Sequence, residues 1–174
     1  MAWYAIHVRT GQEDAVCGEI RRHLCLLGYA EAYRLLVPKR KLLEPHQGEF
    51  IEVIRTMFPS YVLVESEDIR GFAKETVPCN GIFRFLEHDG LFEEILLEEI
   101  AQIIYMTDEA GVIGASETIA EGVWVEVVSG PLKGFEGQIR KIDKHKRRAK
   151  VLFKFDGREH LIDLCVTIRK EGTD

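Results

Sequence analysis

Residues 130–139 read GPLKGFEGQI, and the reading of the whole chain turns on that stretch. Pro131 presets the backbone angle of a turn, while Gly130, Gly134 and Gly137 allow conformations or close approaches that a side chain would block. Around it lie short segments that alternate apolar and polar residues: GVWVEVV (122–128), GFEGQIRKID (134–143), RAKVLFKF (148–155), HLIDL (160–164) and CVTIR (165–169). Alternation broken by turn residues marks strands, and five short strands in roughly 50 residues curl into a small barrel. The expected interior holds Val123, Val125, Val127, Ile139, Val151, Phe153, Leu161 and Leu164.

Toward the N-terminus, residues 108–120 (DEAGVIGASETIA) contain small residues and two glycines but no Lys, Arg or aromatic residue, and read as a linker. The expected division is therefore a domain over 1–107, a linker over 108–120 and a second domain over 121–174. Within the first, AWYAIHVR (2–9) alternates as a strand. TGQE (Thr10–Glu13) fits a capping box, and Val16, Ile20, Leu24 and Leu27 mark one face of a helix ending at Gly28. YRLLVP (33–38), EFIEVIR (49–55) and FPSYVLVE (58–65) read as strands, the first two separated by a connection with a hairpin tip at EPHQGE. A helix near DIRGFAKE (68–75), a strand GIFRFLE (81–87) and a helix EEILLEEIAQIIYM (93–106) complete a β-α-β-β-β-α-β-α order. The fold class is α+β: an antiparallel sheet with flanking helices, joined to a small five-stranded β-barrel.

Composition narrows the function. Hydrophobic residues make up 46% and charged residues 30% of the 174, enough apolar material for packed cores. No apolar run reaches the roughly 20 residues of a bilayer span, and the first residues lack a secretory pattern, so a cytoplasmic location is expected. Cys17, Cys25, Cys79 and Cys165 are scattered with no C-x-x-C pair, which argues for reduced core thiols and against zinc. No nucleophile elbow or phosphate-cradling loop is present. The six histidines are dispersed, and the carboxylates of EEILLEEI read as the wet face of a helix. Neither catalysis, cofactor nor metal is expected.

Charge is uneven. Residues 122–174 carry 12 Lys/Arg against 8 Asp/Glu, a balance of +4, whereas residues 1–121 carry 11 against 21, a balance of −10. The cations concentrate in RKIDKHKRRAKV (140–151), where Arg140, Lys141, Lys144, Lys146, Arg147, Arg148 and Lys150 stand with His145 beside a single acid, Asp143. Such a cluster repels itself unless solvent or an anion screens it, and an RNA backbone is an apt anion. The tip Lys144–Arg148 is expected to be its most exposed part; Lys133 and Arg158 extend the surface if their loops share one end of the barrel. The alternative is a solvated hairpin without a ligand.

GPLKGFEGQI, followed by a hydrophobic-basic strand and FDGRE, resembles a KOW motif, and WYAIHVRTGQE, FPSYVLVE and VPCNGIFRFL in that order resemble the N-terminal domain of the NusG family of transcription elongation factors. The resemblance implies a monomer whose N-terminal domain binds the clamp helices of the largest RNA polymerase subunit through an apolar depression, and whose KOW domain recruits a partner. The family's FPGYVLV falls on Phe58, Pro59, Ser60, Tyr61, Val62, Leu63 and Val64. Phe58 and Tyr61 are then expected as rim aromatics beside Pro59, with Trp3 and Tyr4 lining the depression or packing in the core. Arg9 pairs with an acidic group of the clamp or is solvated. Ser60 stands where the family has Gly, and Asp156 interrupts the family's Phe-Gly-Arg. The basic run is a further departure, and is similar to that of specialised antiterminating members, for which a nascent RNA hairpin is the KOW partner.

Overall fold

The computed structural model describes residues 1–121 and 124–169. The elements in the first hundred residues are β1 (Ala2–Val8), α1 (Glu13–Leu26), β2 (Arg34–Leu36), β3 (Lys39–His46), β4 (Glu49–Thr56), β5 (Tyr61–Ser66), α2 (Ile69–Glu75), β6 (Ile82–Phe85), β7 (Glu87–His88) and β8 (Leu91–Phe92). There follow α3 (Leu97–Met106), β9 (Val112–Ile113), β10 (Ser116–Glu121), β11 (Trp124–Ser129), β12 (Ile139–Asp143), β13 (Arg148–Phe155) and β14 (Arg158–Arg169). They form two compact units, one of Met1–Val37 with Phe58–Ile100, the other of Pro38–Met57 with Ala101–Asp174.

The first unit is built on a four-stranded sheet in the order β2-β5-β1-β6, antiparallel throughout. Tyr4, Ile6 and Val8 of β1 join Val62 and Val64 of β5 in a core with Val16, Cys17, Ile20 and Leu24 of α1 and Phe72 of α2. Burying those side chains from one helix face and one sheet face is the main stabilisation of the unit. Helix α1 ends as expected at Gly28, in the left-handed region: the Tyr29 amide donates to the Leu24 carbonyl at 2.8 Å and the Gly28 amide to that of Cys25 at 3.0 Å. Leu27, expected on the buried face, is the C-cap and is exposed.

Two readings of this unit change. The capping box does not form: α1 starts at Glu13 with Gln12 as N-cap and no side-chain cap bond. Helix α3 starts at Leu97, because residues 93–95 are drawn into extended structure by the Glu93 amide to Leu86, the Ile95 amide to Trp3 and a bridge between Tyr4 and Glu94.

The second unit holds a three-stranded sheet, β4-β3-β9, and a five-stranded one, β11-β10-β14-β13-β12. Its five strands are not the five read from the sequence. HLIDL and CVTIR form one continuous strand, β14, and the fifth strand is β10, from the stretch read as a linker. The first half of β14 pairs antiparallel with β13, and residues 166–169 pair parallel with 116–119. The strand in the supposed linker was hidden because its inward side chains are hydroxyls. Ser116 and Thr118 are buried, the Ser116 Oγ accepting from the Leu132 amide at 2.9 Å and the Thr118 Oγ1 donating to the Thr167 carbonyl at 3.0 Å. Gly130 lies against that strand at φ 93°, where a Cβ would stand 2.7 Å from the Ser116 Cα. The turn predicted at Pro131 closes with the Lys133 amide on the Gly130 carbonyl at 3.0 Å.

Of the expected interior, Val127, Val151, Phe153 and Leu164 are buried, Val125 and Ile139 partly so, and Val123 lies outside the described residues. Leu161 is 56% exposed; the alternation of β14 turns Ile162 inward instead. The connection between YRLLVP and EFIEVIR is itself a strand, β3, paired with β4 through a two-residue turn with positive φ at Gln47 and Gly48. This hairpin, assigned by sequence to the domain over 1–107, belongs to the second compact unit.

Candidate functional site

The candidates from the sequence fall in two places, one in each unit. On the first unit, Phe58 is 2% exposed and is therefore a packing residue, which corrects its reading as a rim aromatic. Trp3 and Tyr4 are buried as well, Trp3 beneath the Arg34 guanidinium at 5.5 Å and Tyr4 donating its hydroxyl to Glu94 at 3.1 Å. Pro59 and Arg9 are exposed and Tyr61 is half-buried. Tyr61 meets His7 edge-on at 5.6 Å between ring centroids, and on its other flank His7 meets Phe83 at 5.7 Å. Phe83, at 57% exposure, was missed. Its strand does not alternate in burial, Ile82 and Phe85 being partly buried and Phe83 and Arg84 exposed, so a period-two reading carried no signal for it.

The loop carrying these residues is held by a buried carboxylate. Glu13 Oε1 accepts from the Ser60 amide at 2.7 Å and from the Gly11 amide at 3.0 Å, and the Thr10 and Ser60 hydroxyls hydrogen-bond to each other. Burial pushes the Glu13 carboxyl up, but the amides of Ser60, Glu13 and Gly11 outweigh it and hold the group below its ordinary value. Ser60 sits at φ 74°, the left-handed region where the family's glycine is unstrained. Replacing Ser60 by Val, whose branched Cβ tolerates that angle poorly, should destabilise the unit by about 2 kcal/mol in a denaturant titration.

On the second unit the basic run forms the β12–β13 hairpin, with Asp143 opposite Arg148 and four residues between. The lone acid orders the tip: Asp143 Oδ1 accepts from the Lys146 amide at 2.9 Å, a bond that leads the causes lowering its pKa. His145, Lys146 and Arg147 are exposed, whereas Lys144 and Arg148, expected to be equally exposed, are partly buried. Arg147 lies 4.7 Å over the Phe50 ring of β4. Arg148 and Lys150 converge on Asp163 at 3.5 and 2.9 Å, while the Asp163 carbonyl accepts from Arg40 at 2.6 Å. Burial raises the Asp163 carboxyl, but the hydrogen bond from Lys150 and the charges of Lys150, Arg148 and Arg40 bring it below its usual value. Burial lowers the Arg40 pKa, opposed by Asp163 and reinforced by Arg148.

The structure does not gather all nine expected cations and His145. Lys141, Lys146, Arg148 and Lys150 line one cleft with Asp143 and Asp163. Arg158 follows the Asp156–Gly157 turn at the far end of β13, eight residues or about 25 Å from the tip. Lys133 sits in the connection that enters β12 away from the tip, with its Nζ on the Val127 carbonyl at 2.9 Å, and Arg140 is turned onto the Gly137 carbonyl at 2.8 Å. Asp156, the departure from Phe-Gly-Arg, is accommodated by positive φ at both turn residues. Arg40, Phe50 and Asp163 are the site residues that sequence reasoning missed.

A sheet packed against α1 and α2, together with a second five-stranded sheet that carries a Gly-Pro turn, defines a two-module α+β protein. Among the described residues no group of His, Cys, Asp and Glu is arranged to hold a metal, and no helix is long and apolar enough to cross a membrane. The family model of the transcription termination factor NusG matches residues 1–104, and that of the KOW motif matches residues 121–154. The chain belongs to the NusG family, whose members are transcription termination/antitermination factors and not enzymes. The transcription termination/antitermination protein NusG of Thermus thermophilus is 27% identical, with 93% of this chain and 94% of that one covered. That of Halalkalibacterium halodurans is 28% identical over 95% of both chains. A solved structure titled "Domain interaction in Thermotoga maritima NusG" matches the fold with a TM-score of 0.56 at 19% identity, covering 94% of this chain and 93% of that one.

Proposed function

We propose that this NusG-family protein is a processive antiterminator of the LoaP kind, recruited by a hairpin in nascent leader RNA. The observation that carries the reading is the cationic β12–β13 hairpin in a chain of net charge −6. The functional division follows the domains read from sequence: residues 1–107 bind RNA polymerase at the clamp helices of its largest subunit, and residues 121–174 bind RNA. The clamp contacts are assigned to Pro59, Tyr61 and Arg9, to which the exposed ring of Phe83 is added. Capture of the leader hairpin raises the local concentration of the polymerase-binding module at its target.

The test pairs the full chain with leader RNAs from upstream of its neighbouring genes, titrated across salt. One RNA should bind tightly, and Lys141→Ala with Lys146→Ala should flatten the dependence of log K on log salt by about one for each lysine removed. Arg148 is left intact because it also holds Asp163. In transcription in vitro the protein should raise terminator readthrough only on templates that encode that RNA. Readthrough equal with and without the leader would instead favour a general elongation factor whose KOW module binds protein partners.

A further inference from the structure

We propose that the β3–β4 hairpin and the basic tip together form a receptor for one unpaired nucleotide, an inference that rests on RNA being the ligand of the tip. Beside the cationic cleft lies a second cavity of about 430 Å³, lined by Leu43, Pro45 and Phe50 from the β3–β4 hairpin and by His145, Lys146 and Arg148 from the tip. Its volume falls within the range of about 300–1,000 Å³ typical of small-ligand sites. The two cavities share Lys146 and Arg148. One is apolar with an aromatic wall, and the other, with four cations against two carboxylates, has a balance of +2.

An apolar slot beside a cationic one matches the two halves of a nucleotide. The base enters against Phe50, Leu43 and Pro45, and its phosphate lies toward Lys141, Lys146 and Lys150. Phe50 is 39% exposed, and its ring is held by Arg147 of the tip. Arg148, in the wall common to both cavities, places a guanidinium where base and phosphate meet. A base in a paired stem is stacked between its neighbours and cannot enter, so the receptor selects a loop, bulge or single strand. The hairpin RNA is then read at two levels: its backbone by charge and one exposed base by stacking.

Binding of the full chain to a short oligoadenylate, to the same ribose-phosphate backbone without bases and to a blunt RNA duplex separates these levels. The oligoadenylate should bind about tenfold tighter than the abasic strand, the worth of one stacked base. Phe50→Ala should abolish that difference, Phe50→Tyr should preserve it, and Lys146→Ala should weaken both strands alike. Equal binding of based and abasic strands, or a preference that survives Phe50→Ala, overturns the receptor while leaving RNA recruitment intact. Failure of every RNA to bind overturns both.

Discussion

Replacing Glu13 by Ala should destabilise the first unit by about 3 kcal/mol, the loss expected when two amides part from a buried carboxylate. Glu13 is the only protein acceptor that the described bonds give to the Gly11 amide and to the Ser60 amide, at 3.0 and 2.7 Å. It also stands at the first residue of α1, where a negative charge meets the helix dipole favourably. Glu13→Gln keeps the acceptor and should lose about 1 kcal/mol. Acid separates charge from shape. Because the folded pKa lies below the ordinary 4.5, the carboxylate's contribution is complete above that pH and is lost as pH falls through the folded value. Chemical denaturation across this window should show a steeper acid loss for the parent than for Glu13→Gln. Parallel acid profiles would refute the role given to the charge.

Asp163→Asn should move stability and RNA affinity in opposite directions. Loss of the carboxylate leaves Arg148, Lys150 and Arg40 without their shared counter-charge, and about 2 kcal/mol of stability in the second unit should go with it. The cations released from Asp163 then become available to phosphate, so binding at low salt should tighten several-fold and the salt dependence should steepen by about one to two. The parent's contribution from Asp163 is present above about pH 3.8 and disappears below it, because the folded pKa is depressed from that value. A thermal melt and an RNA titration on one preparation check both directions. Weaker RNA binding in a folded variant would mean that Asp163 positions these cations for the ligand.

The α+β class, the α1 core face and the cationic hairpin were legible because apolar period and local charge are written along the chain. Strand β10 was not, since Ser116 and Thr118 satisfy their hydroxyls inside the fold and therefore look like linker residues. Strand β3 was masked by KRK and Pro45, with Arg40 half-buried against a carbonyl that lies far away in sequence. At the candidate site, alternation located the cations but not their pairing: Asp163 takes up Arg148 and Lys150, and strand order separates Arg158 from the tip. The burial of Phe58 and the exposure of Phe83 depend on what covers each face, which a single strand's pattern does not carry.

The parallel pairing of 116–119 with 166–169 also sets an order of maturation. Every residue of the first unit has been made once synthesis reaches Ile100. The second cannot close until residues 166–169 exist, and its closure joins strands about 50 positions apart, a non-local contact of the kind that slows folding. The module carrying the sheet and α1 is thus able to reach its final form while the basic module is still an open chain on the ribosome.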